Sequence, residues 1–169
     1  MRRKILLAIV LGFLLTQLYR PAKTNPAEDP ARTLRANAAV TPEMGQILTN
    51  SCGDCHSYKT TWPWYSHVAP VSWFIVSDVN EGRRHFNISD WAKYKPEQRQ
   101  RKLDEACELV DEGDMPLKQY TWMHKGSKLS ESQRQMVCAW TKAEQARITE
   151  TTGVQVPPKR QGGMQAEKK

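Results

Sequence analysis

The sequence predicts an all-α protein: a small helical domain behind an N-terminal membrane-anchor helix. Three observations support this. Apolar residues recur at helical spacing, most clearly Leu103, Ala106, Cys107 and Val110, with charges around them. Helix-start signals stand ahead of such stripes, at Thr41-Pro42-Glu43, at Pro96 and at Ser130. An uncharged apolar run, Ile5 to Leu15, follows a positive start.

The length of 169 residues allows one domain plus tails. We divide it into a signal-anchor segment (1–19), a flexible linker (20–40), a folded domain (41–148) and a disordered tail (149–169). The formal net charge of +7 lies at the ends. Residues 1–40 carry seven Lys/Arg against two Asp/Glu, and residues 150–169 carry four against two. Residues 41–149 carry fourteen of each. A phosphate-binding surface needs clustered positive charge on the folded part, so nucleic acid is excluded as a partner.

The first end reads as a membrane element. Arg2, Arg3 and Lys4 precede the apolar core, and Thr16-Gln17-Leu18-Tyr19-Arg20-Pro21 offers no small-residue cleavage site. An uncleaved anchor is therefore expected, with a cleaved signal as the alternative. The core is short for a span, which puts Tyr19 and Arg20 in the interface. The positive-inside rule leaves the rest of the chain outside the cytoplasm. Pro21, Pro26 and Pro30 then mark the linker.

Thr41 caps a helix with Pro42 at its first position and Glu43 in its first turn. Met44, Ile47 and Leu48 share one face of it and lead into Cys52-Gly53-Asp54-Cys55-His56. This is Cys-x-x-Cys-His, the attachment pattern for a c-type haem. The two thiols are spaced to add to the porphyrin's two vinyl groups, and His56 can then reach the iron. Chance produces the pattern in on the order of one chain in a thousand of this length. Two other readings compete. Zinc would need a second close ligand pair, with His56 or His67 as a third ligand, and Cys107 and Cys138 lie far off in sequence. A dithiol redox centre, which would leave the protein without haem, would be expected in a βαβ setting, and no strand-rich segment precedes the motif.

An aromatic block follows, Trp62-Pro63-Trp64-Tyr65, suited either to a porphyrin edge or to an ordinary small core. Pro70 opens a helix through Val71-Ser72-Trp73-Phe74-Ile75-Val76, which Gly82 is expected to close. Arg83, Arg84 and His85 read as a solvated face, with contact to a haem propionate as the alternative. Ile88 to Trp91 has a short helical look. Pro96 starts the clearest helix and Gly113 stops it.

Asp114-Met115-Pro116 comes next, a methionine in a constrained turn well downstream of the motif. A thioether there suits the distal iron position, since such ligation favours Fe(II) and raises the potential. Core packing is the competing role for Met115. His124 is the next candidate ligand, ahead of Met123, His67 or an open position.

The last helix begins at Ser130, whose capping box is completed by Gln133. Met136, Val137, Trp140 and Ala143 are its expected apolar face. Cys107 and Cys138 form either a disulfide, favoured in an oxidising compartment, or two buried thiols. From Thr149 the composition turns to Gly, Pro, Gln and Lys.

From about Ile47 to Trp140 the chain resembles the small haem-binding domain family of exported bacterial mono-haem c-type cytochromes. The residues that carry the resemblance are Cys52, Cys55, His56, Ser57, Trp62-Pro63-Trp64-Tyr65, Ala69-Pro70-Val71-Ser72-Trp73, Glu81-Gly82-Arg83, Met115-Pro116, Tyr120, His124, Leu129-Ser130 and Trp140. It implies a cytochrome c-like helical haem domain with one covalent haem c, His56 as proximal iron ligand and Met115 as distal ligand. One departure stands out. The broader small cytochrome c fold has a glycine eight residues before the first haem cysteine, where the last helix crosses. Here that position is Met44, with Gly45 beside it.

The function expected is electron transfer rather than catalysis. It would run between redox partner proteins at the periplasmic face of the bacterial inner membrane, or in the soluble periplasm after signal cleavage. Bacterial c-type haem is attached after export, in keeping with that side of the membrane. A haem sensor or peroxidase-like enzyme with an open or displaceable sixth ligand is the alternative, His85 with Arg83 or Arg84 serving as its distal pair.

Overall fold

Helix-start chemistry and apolar spacing decide most of the architecture seen in the computed structural model, which describes residues 1–156. Every described element is a helix or a helical turn. The helices are α1 (Arg2–Thr16), α2 (Leu34–Asn37), α3 (Pro42–Ile47), α4 (Gly53–His56), α5 (Val71–His85), α6 (Pro96–Asp111), α7 (Lys118–Met123) and α8 (Glu131–Thr152). Single 3-10 turns lie at Pro30–Arg32 and Trp64–His67, two more joined across a kink at Asp90 span Ile88–Lys93, and a π turn, Leu48–Cys52, joins α3 to α4.

The expected starts are present. Thr41 accepts from the Met44 N–H at 3.2 Å, and Pro42 and Glu43 follow it into α3. Ser130 and Gln133 form the capping box of α8. Gly113 leaves α6 at φ +76°, a conformation favouring glycine. Met44, Ile47, Leu48, Leu103 and Val110 are buried in one core with Trp91, Tyr94, Leu129, Val137 and Ile148.

Helices α6 and α8 form the main packing pair. Gln100 and Gln145 exchange amide-to-carbonyl hydrogen bonds at 2.9 and 3.0 Å, and the Cys107–Cys138 disulfide links the two helices. Helix α3 also packs on α8. Trp140 donates to the Ala39 carbonyl at 2.7 Å. Gly45 serves a neighbour other than α8. A Cβ there would lie 2.6 Å from the Arg35 guanidinium, which donates to the Gly45 carbonyl at 2.7 Å.

Four expectations are corrected. The buried side of α8 is Val137, Thr141, Glu144, Gln145 and Ile148, while Met136 and Ala143 are exposed. Polar residues can occupy that face because each finds a partner: Glu144 accepts from Arg147 and from the Ala39 N–H. Helix α5 continues through Gly82 to His85. Residues 149–152 finish α8, and Thr149 accepts from Gln100 at 3.0 Å, so the tail cannot begin there. Residues 157–169, the rest of that expected tail, lie outside the described residues.

The fourth correction concerns residues 20–40, which lie against the domain instead of forming a flexible linker. Leu34 is fully buried in the core, Lys23 donates to the Ser66 carbonyl, and Asn25 donates to the Thr60 carbonyl. Glu28 pairs with Lys59 at 2.5 Å and accepts from Ser89 Oγ at 2.5 Å. Burial pushes the Glu28 carboxyl up, but the Lys59 and Ser89 hydrogen bonds outweigh it and hold the group below its ordinary value. A lowered carboxyl stabilises the fold above the unfolded-state value of about 4.3 and loses that contribution as pH falls further. The urea midpoint is therefore expected to drop between about pH 5 and 3. In Glu28→Gln that part of the drop should vanish. An unchanged pH profile would disprove the linkage.

The anchor expectation meets one plain fact: no described helix is long and apolar enough to cross a membrane. Helix α1 has 15 residues and buries none of them.

Candidate functional site

The Cys-x-x-Cys-His turn is held from both sides. Cys52 ends the π turn, α4 carries Cys55 and His56, and Ser57 closes it by donating to the Gly53 carbonyl at 2.7 Å. The Thr60 hydroxyl donates to the Asp54 carbonyl at 2.6 Å, and the Asp54 carboxylate accepts from the Thr61 N–H at 2.8 Å. These bonds fix the loop after His56, so both cysteines and the imidazole keep one orientation relative to each other.

Behind the turn stands α5. At Gly82 a Cβ would lie 2.6 Å from the Cys55 carbonyl oxygen and 3.2 Å from the Cys55 Cβ. This close approach, and not helix termination, is what Gly82 provides. Arg83, the next residue, is buried. It donates to the Ser57 carbonyl (2.7 Å), the Thr24 carbonyl (2.7 Å), Asn25 Oδ1 (3.0 Å) and Thr60 Oγ1 (2.8 Å). It is therefore a strut between residues 24–25 and the motif loop. Arg84 and His85 are exposed and pair with Glu81, as expected of a solvated face.

His56 Nδ1 lies 2.8 Å from the Phe86 carbonyl. A carbonyl can only accept, so Nδ1 carries the proton and Nε2 is the nitrogen with a lone pair to give. Burial pushes the His56 pKa down against the opposing pull of the Phe86 and Gly82 carbonyls, keeping the ring neutral and able to bind metal. Phe86 packs edge-on against the ring at 5.8 Å.

Cys52 and Cys55 are not joined to each other. Burial pushes Cys52 up to about 12 and Cys55 up to about 11. A dithiol redox centre works through a lowered thiol pKa, so that reading loses ground. Among the described residues no group of three or more His, Cys, Asp and Glu could hold a metal ion, which disfavours zinc.

Met115 is half-buried against the same core that Cys52 and Phe86 border. Its N–H donates to the Leu109 carbonyl at 3.0 Å, and its bond to Pro116 is cis. It also lines a cavity of about 390 Å³ with Pro116, Trp122 and Leu129, whose wall includes none of Cys52, Cys55 and His56. His124 has both ring nitrogens engaged, Nδ1 with the Tyr120 carbonyl (3.0 Å) and Nε2 with the Tyr65 hydroxyl (3.2 Å). Tyr120 stacks on that ring at 4.1 Å and donates to the Asp54 carboxylate at 2.8 Å. So α7 is clipped to the motif itself, through Asp54, one of the two residues between the cysteines.

A family model described as a haem-binding domain matches residues 11–143. The chain belongs to the haem-binding domain family. Among curated proteins and among solved structures no match was found.

The residues of this haem-binding domain fit the group. Two unpaired thiols and a neutral imidazole with a free Nε2 share one pinned turn. Buried Trp91, which packs on Phe86 at 5.3 Å, has an indole N–H without a partner. An orphaned donor beside Phe86, the neighbour of His56, suits a site that also takes an anionic cofactor edge. The contacts made by Gly82, Asp54, Tyr120 and Arg83 could not be read from the sequence, although Gly82, Arg83 and Tyr120 stand among the residues that carry the resemblance and Asp54 lies inside the Cys-x-x-Cys-His motif.

Proposed function

We propose that this haem-binding domain is an exported mono-haem c-type cytochrome that transfers electrons between redox partner proteins at the periplasmic face of the inner membrane, with α1 as its anchor. The observation that carries the reading is the His56–Phe86 hydrogen bond directly after two unpaired cysteines. Cys52 and Cys55 would hold haem c covalently, His56 would bind its iron from one side and Met115 from the other. The haem, when bound, supplies one-electron redox chemistry. The chain's own part is to fix the imidazole tautomer, keep both thiols aimed alike, and bury the site against the core.

Several observations favour Met115 over His124 and electron transfer over catalysis. His124 has both nitrogens occupied, whereas Met115 packs against the same core as Cys52. Arg83 is committed to backbone carbonyls and cannot act as a distal catalytic arginine. The Cys107–Cys138 disulfide suits an oxidising compartment. One observation favours the second reading, a haem sensor or peroxidase-like enzyme: the cavity beside Met115 gives room for a small molecule.

The test is the visible spectrum of protein exported with a cytochrome c maturation system, oxidised and reduced. A low-spin covalent haem is expected. Met115→Ala should lose the sulfur-to-iron band and lower the potential, while Cys52→Ser/Cys55→Ser should lose covalent haem entirely. A wild type already high-spin and taking up carbon monoxide readily would favour the second reading.

A further inference from the structure

From Ile5 to Leu15 helix α1 is apolar on all sides, it ends at Thr16, and the domain begins at once. Gln17 accepts from the Ala69 N–H at 3.0 Å and donates to the Ala69 carbonyl at 3.1 Å. Trp73 Nε1 donates to the Tyr19 carbonyl at 3.0 Å, with the two rings edge-to-face at 5.9 Å. Lys23 adds a bond to the Ser66 carbonyl at 3.1 Å. No slack separates α1 from the start of α5.

That start is apolar and uncovered. Phe74 is 68% exposed and Val71 43%, beside Tyr19 at 68% and Leu18 at 80%. Residues 60–77 contain no Asp, Glu, Lys or Arg. Between residues 5 and 27 the only formal charges are Arg20 and Lys23, both positive. An uncharged aromatic face rimmed by cations matches the headgroup boundary of a bilayer, where aromatic rings and basic side chains gather.

We propose that the face formed by Leu18, Tyr19, Val71 and Phe74 rests on the phospholipid surface, so that the domain is docked on the membrane in a fixed orientation instead of swinging on a tether. This inference rests on α1 being membrane-inserted. Fifteen helical residues reach about 22 Å, short of a hydrocarbon core of about 30 Å. Such a mismatch draws the flanking groups down to the surface. With Gln17 clamped to Ala69, whatever draws Tyr19 down also brings Val71 and Phe74.

The test reconstitutes the full haem-loaded chain in nanodiscs of phosphatidylcholine and phosphatidylglycerol carrying a diazirine in the upper acyl chain, followed by irradiation and tryptic mass spectrometry. Lipid adducts are expected on residues 5–23 and 60–83. Residues 119–125, which hold the equally exposed Trp122 and Met123, should stay unlabelled. Val71→Asp/Phe74→Asp should cut the 60–83 adducts at least fivefold, leave those on 5–23 unchanged and keep the haem spectrum. Adducts on 5–23 alone would overturn the docking and leave the anchor standing. Adducts on neither would overturn the anchor reading as well. Equal labelling of 60–83 and 119–125, or a double variant that labels like the wild type, would also sink the docked face.

Discussion

Gly82→Ala is expected to destabilise the domain by about 3 kcal/mol and to reduce covalent haem per chain severalfold, the range for overpacking that must move backbone. The added Cβ would stand 2.6 Å from the Cys55 carbonyl oxygen and 3.0 Å from its carbonyl carbon. Neither atom is the free end of a side chain, so α5 or the Cys-x-x-Cys-His turn has to shift. Moving α5 disturbs Arg83, which follows Gly82 and braces Ser57, Thr24, Asn25 and Thr60. Moving the turn disturbs the His56 bond to the Phe86 carbonyl. Both routes weaken the site. Gly113→Ala is the control: its φ of +76° makes alanine strained, but nothing lies within 4 Å of the new Cβ. Its cost should be about 1 kcal/mol, with haem loading intact. Urea midpoints and the haem-to-protein absorbance ratio of the two variants decide the matter. Equal, small losses in both would show that α5 does not constrain the motif.

Cys107→Ala/Cys138→Ala is expected to cost about 3–4 kcal/mol, from the loop entropy restored to the unfolded chain when a bridge across a separation of 31 residues is removed. The bridge ties α6 to α8, the helices with the most extensive mutual contact, and its Cα atoms are 4.7 Å apart. Neither cysteine takes part in the motif turn. Loss of the bridge should therefore lower the unfolding midpoint while leaving the visible spectrum of the folded, loaded protein unchanged. Denaturant unfolding followed by far-ultraviolet dichroism, beside the Soret spectrum before unfolding, checks both halves. A changed native spectrum would mean that the α6–α8 pair positions the haem ligands, contrary to this expectation.

Much of the site was legible because its chemistry is local. Cys52, Cys55 and His56 are neighbours in sequence, and a spacing of three and one places them on one turn whatever surrounds them. The helix starts at Thr41 and Ser130 were legible for the same reason, since a cap acts over three residues. The stripe Leu103, Ala106, Cys107 and Val110 gave the inner side of α6 correctly, because charges mark its outer side. On α8 the same method chose the wrong face. Thr141, Glu144 and Gln145 face inward there, and their burial is tolerable because each finds a partner, the remote Ala39 and Gln100 as well as the nearby Cys138 carbonyl and Arg147.

Residues 20–40 show the same division. Three prolines and few large apolar groups suggested a tether, but Leu34 enters the core and Asn25, Thr24 and Lys23 reach Arg83, Thr60 and Ser66. Composition cannot reveal such contacts, because the partner groups lie up to 59 positions away.

By itself, then, the sequence determined the all-α class, the Cys-x-x-Cys-His turn, the caps and the cysteines free to pair. These depend on spacings of a few residues. Only the tertiary structure decided that Gly82 must be bare, that Arg83 is a strut, that His124 has no nitrogen to spare, and that α1 joins the domain without slack. Each of these depends on which distant backbone atom a side chain meets, and that is fixed only when the helices pack.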